Sequence, residues 1–328
     1  MEELYLGWLE QLSRGLERWN NVRVDVKPRC IVVSGMGGSG IIGDYVKTLA
    51  LNRSKIPVFT VKSHFLPAFV NENDIVFVVS YSGNTIETIR TYKEALARKA
   101  NVVVITSNGY LLKDSIERKI PVVKVMEGLA PRTALPEMLY GVLGVLDTSG
   151  ISIVTRTEAE NAYEFLKEEI KHAIDESHKV ALFIHENKGR LVIATHTPLE
   201  SLAIRGKNEF NENAKIPAKV EVMPEWAHND IVGWENPYVD DWVVLSIMDK
   251  DDDIGARLVE FMEKEYAKRN YPIYRLVLKG KSLLEKLLYG SLVLGLASVK
   301  LARLRDIDPL KTESIARYKK FINELLEL

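Results

Sequence analysis

The sequence predicts an α/β protein made of two successive halves, each a parallel sheet between helices. Short β-branched runs such as "CIVVSG" and "NVVVITS" alternate with longer segments of helical periodicity. That is the pattern of parallel strands covered on both faces. The alternation occurs twice in 328 residues, enough chain for two domains of ordinary size. Gly-rich turns follow strands directly, as in "VVSGMGGSGIIGD" (Val32 to Asp44), where Gly35, Gly37 and Gly40 fit G-x-G-x-x-G.

In the first half, Tyr5, Leu9, Leu12, Leu16 and Trp19 recur at helical spacing and predict an amphipathic N-terminal helix. "CIVVSG", "IPVFTV", "DIVFVVS", "NVVVITS" and "PVVKV" read as five strands. Helices are expected from about Ser39, from Thr85 to Arg98 and from Ala134 to Leu146. "DTSG" at Asp147 to Gly150 reads as a hinge, which divides the chain into domains at 1–150 and 151–328.

The second half repeats the plan. Helices are expected at Thr157 to His185, Pro198 to Ala214, Asp252 to Lys268 and Ser282 to Leu304. "RLVIAT", "IPAKVEV", "DWVVLSI" and "YPIYRLVL" are the strands, with an irregular loop from Met223 to Asp240. A last helix, Thr312 to Leu326, is counted with the second domain.

Composition narrows the function. Hydrophobic residues are 46% and charged residues 27%, as in soluble globular chains, and a formal net charge of -1 gives no basic field for nucleic acid or an anionic membrane. The acidic start resembles no signal peptide, and no apolar run reads as long enough to span a bilayer. The single Cys30 excludes an intrachain disulfide and suits a reducing cytoplasm. A single glutamine among many Glu and Lys hints at a thermophilic source.

Two loops have the shape of phosphate sites. A strand, a glycine turn and a helix start together collect free backbone N–H groups at a positive dipole end. The opening glycine loop fits, but "FTVKS" at the end of the second strand lacks the acidic residue that a dinucleotide's ribose needs, which disfavours NAD; Lys62 leaves NADP open. In "SYSGNTIET" (Ser80 to Thr88), Ser80, Ser82, Thr85 and Thr88 cluster hydroxyls around Gly83. The cluster suits a phosphate monoester held without metal. Capping of the helix by Ser82 or Asn84, with Glu87 completing a capping box, is the plainer alternative. Thr197, Pro198 and Glu200 predict a further capping box. The six histidines are scattered without metal-ligand spacing, so neither metal nor cofactor is expected. Glu209 and Glu212 lie three apart, and position alone does not choose between a catalytic and a solvated role for either.

"GMGGSG" followed by "SYSGNTIET" resembles a sugar isomerase (SIS) domain. With "APRTALP", "RGKNEFNENAK", "PEWAHND" and "DPLKTESIARYKK" in order, nearly the whole chain resembles the bifunctional phosphoglucose/phosphomannose isomerases of archaea and some bacteria. The resemblance implies two tandem SIS domains, each a parallel-sheet αβα sandwich, with added N- and C-terminal helices. It implies interconversion of glucose 6-phosphate and mannose 6-phosphate with fructose 6-phosphate through an enediolate, in a cleft between the domains and across a homodimer interface. Ser80, Ser82 and Thr85 would hold the phosphate, and Gly37, Gly38 and Ser39 would lie against the sugar. Glu212 would be the base, His228 the ring-opening acid/base donated by a second copy, and Arg132 the partner of the enediolate charge. Lys319, with Lys320 as its neighbour, would assist ring opening, and Thr312 would line the C2 side. Three other readings stand beside this one: a catalytically silent phosphosugar-binding module, an NADP oxidoreductase, and an SIS isomerase of amino sugars or hexuloses.

Overall fold

The computed structural model describes residues 1–326. In chain order the helices are α1 (Glu2–Leu6), α2 (Trp8–Glu17), α3 (Gly37–Ala50), α4 (Ile86–Ala97), α5 (Gly109–Glu117) and α6 (Leu135–Thr148). The rest are α7 (Arg156–Asn187), α8 (Glu200–Glu209), α9 (Asp230–Gly233), α10 (Asp253–Ala267), α11 (Leu283–Leu304) and α12 (Glu313–Leu326). The strands are β1 (Ile31–Ser34), β2 (Val58–Val61), β3 (Ile75–Val79), β4 (Asn101–Thr106), β5 (Val122–Lys124), β6 (Arg190–His196), β7 (Ala218–Met223), β8 (Trp242–Met248) and β9 (Ile273–Val277).

The strands form two all-parallel sheets, ordered β2-β1-β3-β4-β5 and β7-β6-β8-β9. Central strands β1, β3 and β6 are buried almost end to end, which is why they read as continuous apolar runs rather than alternating ones. In each sheet the strand order reverses once, between β1 and β3 and between β6 and β8. Ligands of such sheets bind outside the carboxyl ends of the strands at this reversal.

The chain packs as two units. The first comprises Leu6–Glu164 with α12, and the second Met1–Tyr5 with Phe165–Thr312. The sequence reading instead divides the chain at residue 150 and gives the last helix to the second half. The packing division runs through α7, because "DTSG" makes no flexible break: Thr148 ends α6, and Ser149 and Gly150 are bonded back to it. α12 falls with the first unit, where the Tyr318 hydroxyl donates to Glu87 at 2.8 Å. The expected N-terminal helix is two pieces meeting at Gly7. Its buried face is Tyr5, Trp8, Leu12, Gly15 and Trp19, with Leu9 and Leu16 only half-buried.

α11 is the core helix of the second unit. A capping box starts it, with the Glu285 N–H donating to the Ser282 hydroxyl at 3.2 Å. It corrects the expectation that no apolar run reaches bilayer length: its most apolar window has a mean hydropathy of 1.5. That window is 83% buried, the position of a core helix. The helix α5 and the short turns at Pro131–Thr133, Glu225–His228 and α9 were not expected from periodicity. Each is too short, or too evenly mixed in polarity, to give a helical stripe.

Candidate functional site

Three loops of the first unit meet at the carboxyl ends of β1 and β3. The glycine loop enters α3 at Gly37, whose backbone is left-handed (φ +53). A side chain on Gly38 would stand 2.8 Å from the Arg132 nitrogen and 2.9 Å from the Pro131 carbonyl carbon. Only a residue without Cβ lets the Pro131–Thr133 turn approach this closely. Ser39 is buried; its hydroxyl accepts the Tyr81 N–H at 3.0 Å and lies 3.8 Å from the Met138 sulfur. Ser39 therefore ties the glycine loop to the hydroxyl loop.

The hydroxyl loop turns at Gly83 (φ +66), where an added Cβ would collide with the Asn108 carbonyl oxygen. Ser80 is buried and donates to the Thr85 hydroxyl at 3.2 Å. Ser82 and Thr85 are half-buried, and Thr88 points inward. Thr85 is the N-cap of α4, yet no side chain caps this helix among the described residues. The capping box weighed as the alternative here does not form. Asn84 Oδ1 instead accepts the Tyr110 N–H at 2.8 Å, and Glu87 accepts Tyr318. The first N–H groups of α4 thus open beside the Ser82 and Thr85 hydroxyls, the arrangement that receives an anion.

Arg132 sits on the Pro131–Thr133 turn and is 7% exposed. A buried, turn-fixed guanidinium is oriented before any charge arrives. Lys319 and Lys320 are both exposed on α12. Tyr318, just before them, holds that helix to the first turn of α4 through Glu87. The first unit therefore brings together Gly37, Gly38, Ser39, Ser80, Ser82, Thr85 and Arg132, and carries Lys319 on the helix pinned at the start of α4.

Sequence reasoning missed the residue that organises these loops. Tyr81 accepts the Leu129 N–H at 2.7 Å with its hydroxyl, and its carbonyl accepts the Ser107 hydroxyl at 2.6 Å. Burial pushes its phenol up, so it stays neutral as an acceptor and donor. The only available signal was an aromatic residue flanked by two serines, and that has no spacing rule attached.

Glu212, His228 and Thr312 belong to the second unit. α8 does not run on regularly to Ala214: Phe210–Ala214 is one π-helical turn, a feature frequent at functional sites. It separates two glutamates that look equivalent in sequence. Glu209 is buried, ion-paired with Arg205, and accepts from Tyr5 and from Asn213, the last at 2.9 Å. Asn213 also donates to the Ser298 hydroxyl at 2.9 Å. Burial, then the charge of Glu209, pushes the Tyr5 phenol far up, so the buried network keeps its hydrogen. Glu209 is thus structural. Glu212 sits half-buried on the π turn, and its carbonyl accepts the Lys215 ammonium at 2.5 Å.

The capping box expected at Thr197 does not form either. Leu199 donates its N–H to the His196 carbonyl at 2.8 Å, so that turn delays α8 to Glu200. His228 is exposed at the end of the Glu225–His228 turn. Beneath it, Trp226 and Trp234 pack against Tyr266 with ring centroids 5.6 and 5.1 Å away. These tryptophans belong to the core of the second unit. Thr312 is half-buried just before α12. Lys62, the residue that left NADP open, pairs with Asp44. Among the described residues no three His, Cys, Asp or Glu side chains converge as metal ligands.

Comparison with known proteins matches residues 26–113 to the SIS domain and residues 173–322 to the bacterial phospho-glucose isomerase C-terminal SIS domain. The bifunctional phosphoglucose/phosphomannose isomerase of Aquifex aeolicus is 35% identical over 97% of this chain and 98% of its own. Its namesake in Pyrobaculum aerophilum is 32% identical over 96% and 97%. A D-glucosamine-6-phosphate 4-epimerase of Sulfolobus acidocaldarius is 28% identical over 96% and 99%. Among solved structures, the C-terminal domain of glucosamine-fructose-6-phosphate aminotransferase from Francisella tularensis matches with a TM-score of 0.74 at 12% identity, covering 93% of this chain and 96% of that one. At that identity it supports the fold alone. Two parallel SIS sheets, the glycine and hydroxyl loops of the first, and full-length identity above 30% agree: the chain belongs to the bifunctional phosphoglucose/phosphomannose isomerase family.

Proposed function

We propose that this protein interconverts glucose 6-phosphate and mannose 6-phosphate with fructose 6-phosphate, without a metal or cofactor. The observation that carries the reading is the start of α4: uncapped by any side chain among the described residues, flanked by Ser82 and Thr85, and tied by Ser39 to the glycine loop beside the Arg132 turn. The sugar's phosphate is held there by N–H groups and hydroxyls. Gly37 and Gly38 let backbone approach the sugar, and Thr312 lies on its C2 side.

His228 and Lys319 open the ring by moving protons at the ring oxygen and O1. Glu212 removes the C2 proton of the open aldose. The electron pair left on C2 becomes part of an enediolate whose charge Arg132 offsets; a proton passes from O2 to O1, and Glu212 returns its own proton to C1 to give the ketose. Rotation about C2–C3 before the reverse transfer yields either epimer. His228 is supplied by the second copy of a homodimer, and the enzyme acts in cytoplasmic glycolysis and gluconeogenesis, in a thermophile.

The test is direct. Fructose 6-phosphate incubated with the protein and a chelator is expected to give both glucose and mannose 6-phosphates. Glu212→Gln is expected to cut kcat about a hundred- to ten-thousandfold with substrate binding kept. Neither product, or an active Glu212→Gln, overturns the reading. The 4-epimerase relative favours one other reaction on the same framework. C4 epimerisation of glucosamine 6-phosphate, with fructose 6-phosphate untouched, would establish that reaction instead.

A further inference from the structure

A cavity of about 850 Å³ lies wholly within the second unit, at the amino ends of β6, β7 and β8. It is thus at the opposite end of the sheet from where an SIS-type sheet receives substrate. Its volume is in the range of small-molecule sites. Its charge is one-sided: among the described residues Lys188, Arg190, Lys215, Lys219 and Arg305 line it, against one acid, Asp241. Lys219 is answered by Glu221 at 2.5 Å and Asp230 at 3.6 Å, while Asp241 reaches Arg190 only at 3.4 Å, with both side chains about half exposed; Lys188, Lys215 and Arg305 are the further cations of the lining. In a chain whose net charge is -1, so unbalanced a concavity is a local positive field that focuses anions.

The wall is not purely polar. Ile216, Pro217 and Trp242 line it, and the Arg190 guanidinium already lies 5.8 Å from the centre of the Trp242 ring. A bare inorganic anion would use the cations and leave this wall wet. A flat ring carrying phosphates uses both, stacking on the indole or guanidinium while its phosphates meet Lys188, Lys215 and Arg305.

We infer that this cavity is a site for a nucleoside polyphosphate. It has a built-in link to the π turn. Lys215 donates to the Glu212 carbonyl at 2.5 Å, and Arg305 donates to that of Ala214. Phosphates compete with those two carbonyls for the same cations, so occupancy loosens the end of the turn that carries Glu212. The binding claim stands alone; its effect on turnover rests on Glu212 being the base.

The test titrates ATP, with chelator and at low salt, into the intact protein, read by tryptophan fluorescence and calorimetry. One site per chain is expected. Pyrophosphate is expected to bind at least about tenfold more weakly, and Lys188→Ala/Arg190→Ala to weaken ATP by about tenfold or more. The same pair should leave isomerase turnover without ATP unchanged. Lys188→Glu, at an exposed helix end, serves as a second probe that preserves the fold. Ser82→Ala should leave ATP affinity unchanged. No ATP binding up to several millimolar, or binding indifferent to Lys188 and Arg190, overturns the inference. So does binding lost in Ser82→Ala, which would put ATP in the substrate's phosphate loop. Equal affinity for pyrophosphate overturns the nucleoside assignment. A dead isomerase that still binds ATP leaves this inference standing and sinks the reading of Glu212.

Discussion

In the first unit the carboxyl ends of β1 and β3 lead into glycine and hydroxyl loops, and α4 starts without a side-chain cap. In the second unit the matching ends of β6 and β8 lead into His196-Thr197-Pro198 and the acidic turn Asp249 to Asp253. There the helix start is already answered. Asp252 accepts the Gly255 N–H at 2.9 Å and caps α10, while Lys286 joins Asp249 at 2.7 Å and Asp251 at 2.8 Å. The two sheets have the same reversal of strand order. What decides where a phosphate can sit is which helix start keeps its N–H groups open and which fills them with its own carboxylate.

The amino ends differ in the opposite sense. Arg29 donates its N–H to the Asn73 carbonyl and pairs with Asp74 at 2.9 Å, and Arg190 donates its N–H to the Asp241 carbonyl and pairs with that residue's carboxylate at 3.4 Å. Asp74 and Asp241 each lie one residue before the third strand of their sheet in sequence, while Arg29 lies two residues before β1 and Arg190 opens β6. In the first unit the acid is fully buried, accepting from Arg29, from the Cys30 thiol at 3.2 Å and from the Asn71 N–H at 2.9 Å. Burial, with Asp74 beside it, pushes the Cys30 thiol up to about 12, so this cysteine is an inert donor. In the second unit the pair is exposed and borders the basic cavity. One end of each sheet is closed with its own charges, and it is not the same end.

The largest effect is expected at the open carboxyl end. Gly83→Ala forces a left-handed backbone on a residue with a Cβ and drives that atom into the Asn108 carbonyl. The cost is about 2–4 kcal/mol, and the strain falls on the loop that carries Ser82. The KM for fructose 6-phosphate should rise more than about tenfold while the second unit is untouched. Kinetics beside thermal melts check this, and an unchanged KM would separate the hydroxyl loop from phosphate binding.

That glycine shows how far the sequence could be read. The strands were legible because a buried parallel strand must be β-branched and short. The hydroxyl loop was legible because Ser80, Ser82, Gly83 and Thr85 crowd one helix start. Glu212 was not separable from Glu209 by position, since a π turn leaves no mark in hydrophobic periodicity; only packing shows Glu209 held by Arg205 and Tyr5. The capping box at α4 failed for a reason that lies outside the motif. A motif states which side chains could cap, while Asn84 and Glu87 found partners at Tyr110 and Tyr318, 26 and 231 residues further along the chain. Tyr81 went unread for the same reason, as all of its partners are distant in sequence.

A middle-sized effect is expected at the closed amino end of the first unit. Burial alone would raise the Asp74 carboxyl, but the hydrogen bonds from Arg29, Asn71 and Cys30 outweigh it and hold the group below its ordinary 3.8. A carboxyl lowered in the folded state stabilises above that ordinary value, and the contribution is lost as pH falls toward the folded value. Asp74→Asn should cost about 1–3 kcal/mol at neutral pH. Its melting temperature should then approach that of the parent protein as pH drops below about 4. Parallel curves down to the acid limit would show that the charge of Asp74 is not what closes this end.

The smallest effect belongs to the matching acid. Asp241 is 60% exposed and its partner Arg190 49%, so water screens the pair. Asp241→Asn should change stability by no more than about 0.5 kcal/mol, a shift of about 2 °C or less in the melting midpoint. The same substitution removes the one acid among the cations of the basic cavity, so ATP affinity should rise as stability stays level. Calorimetry on Asp74→Asn and Asp241→Asn side by side therefore sets the two ends against each other. If the exposed pair proved as costly to break as the buried one, desolvation would not be what distinguishes them, and the cavity would owe its shape to the Arg190–Asp241 bridge rather than to the cations around it.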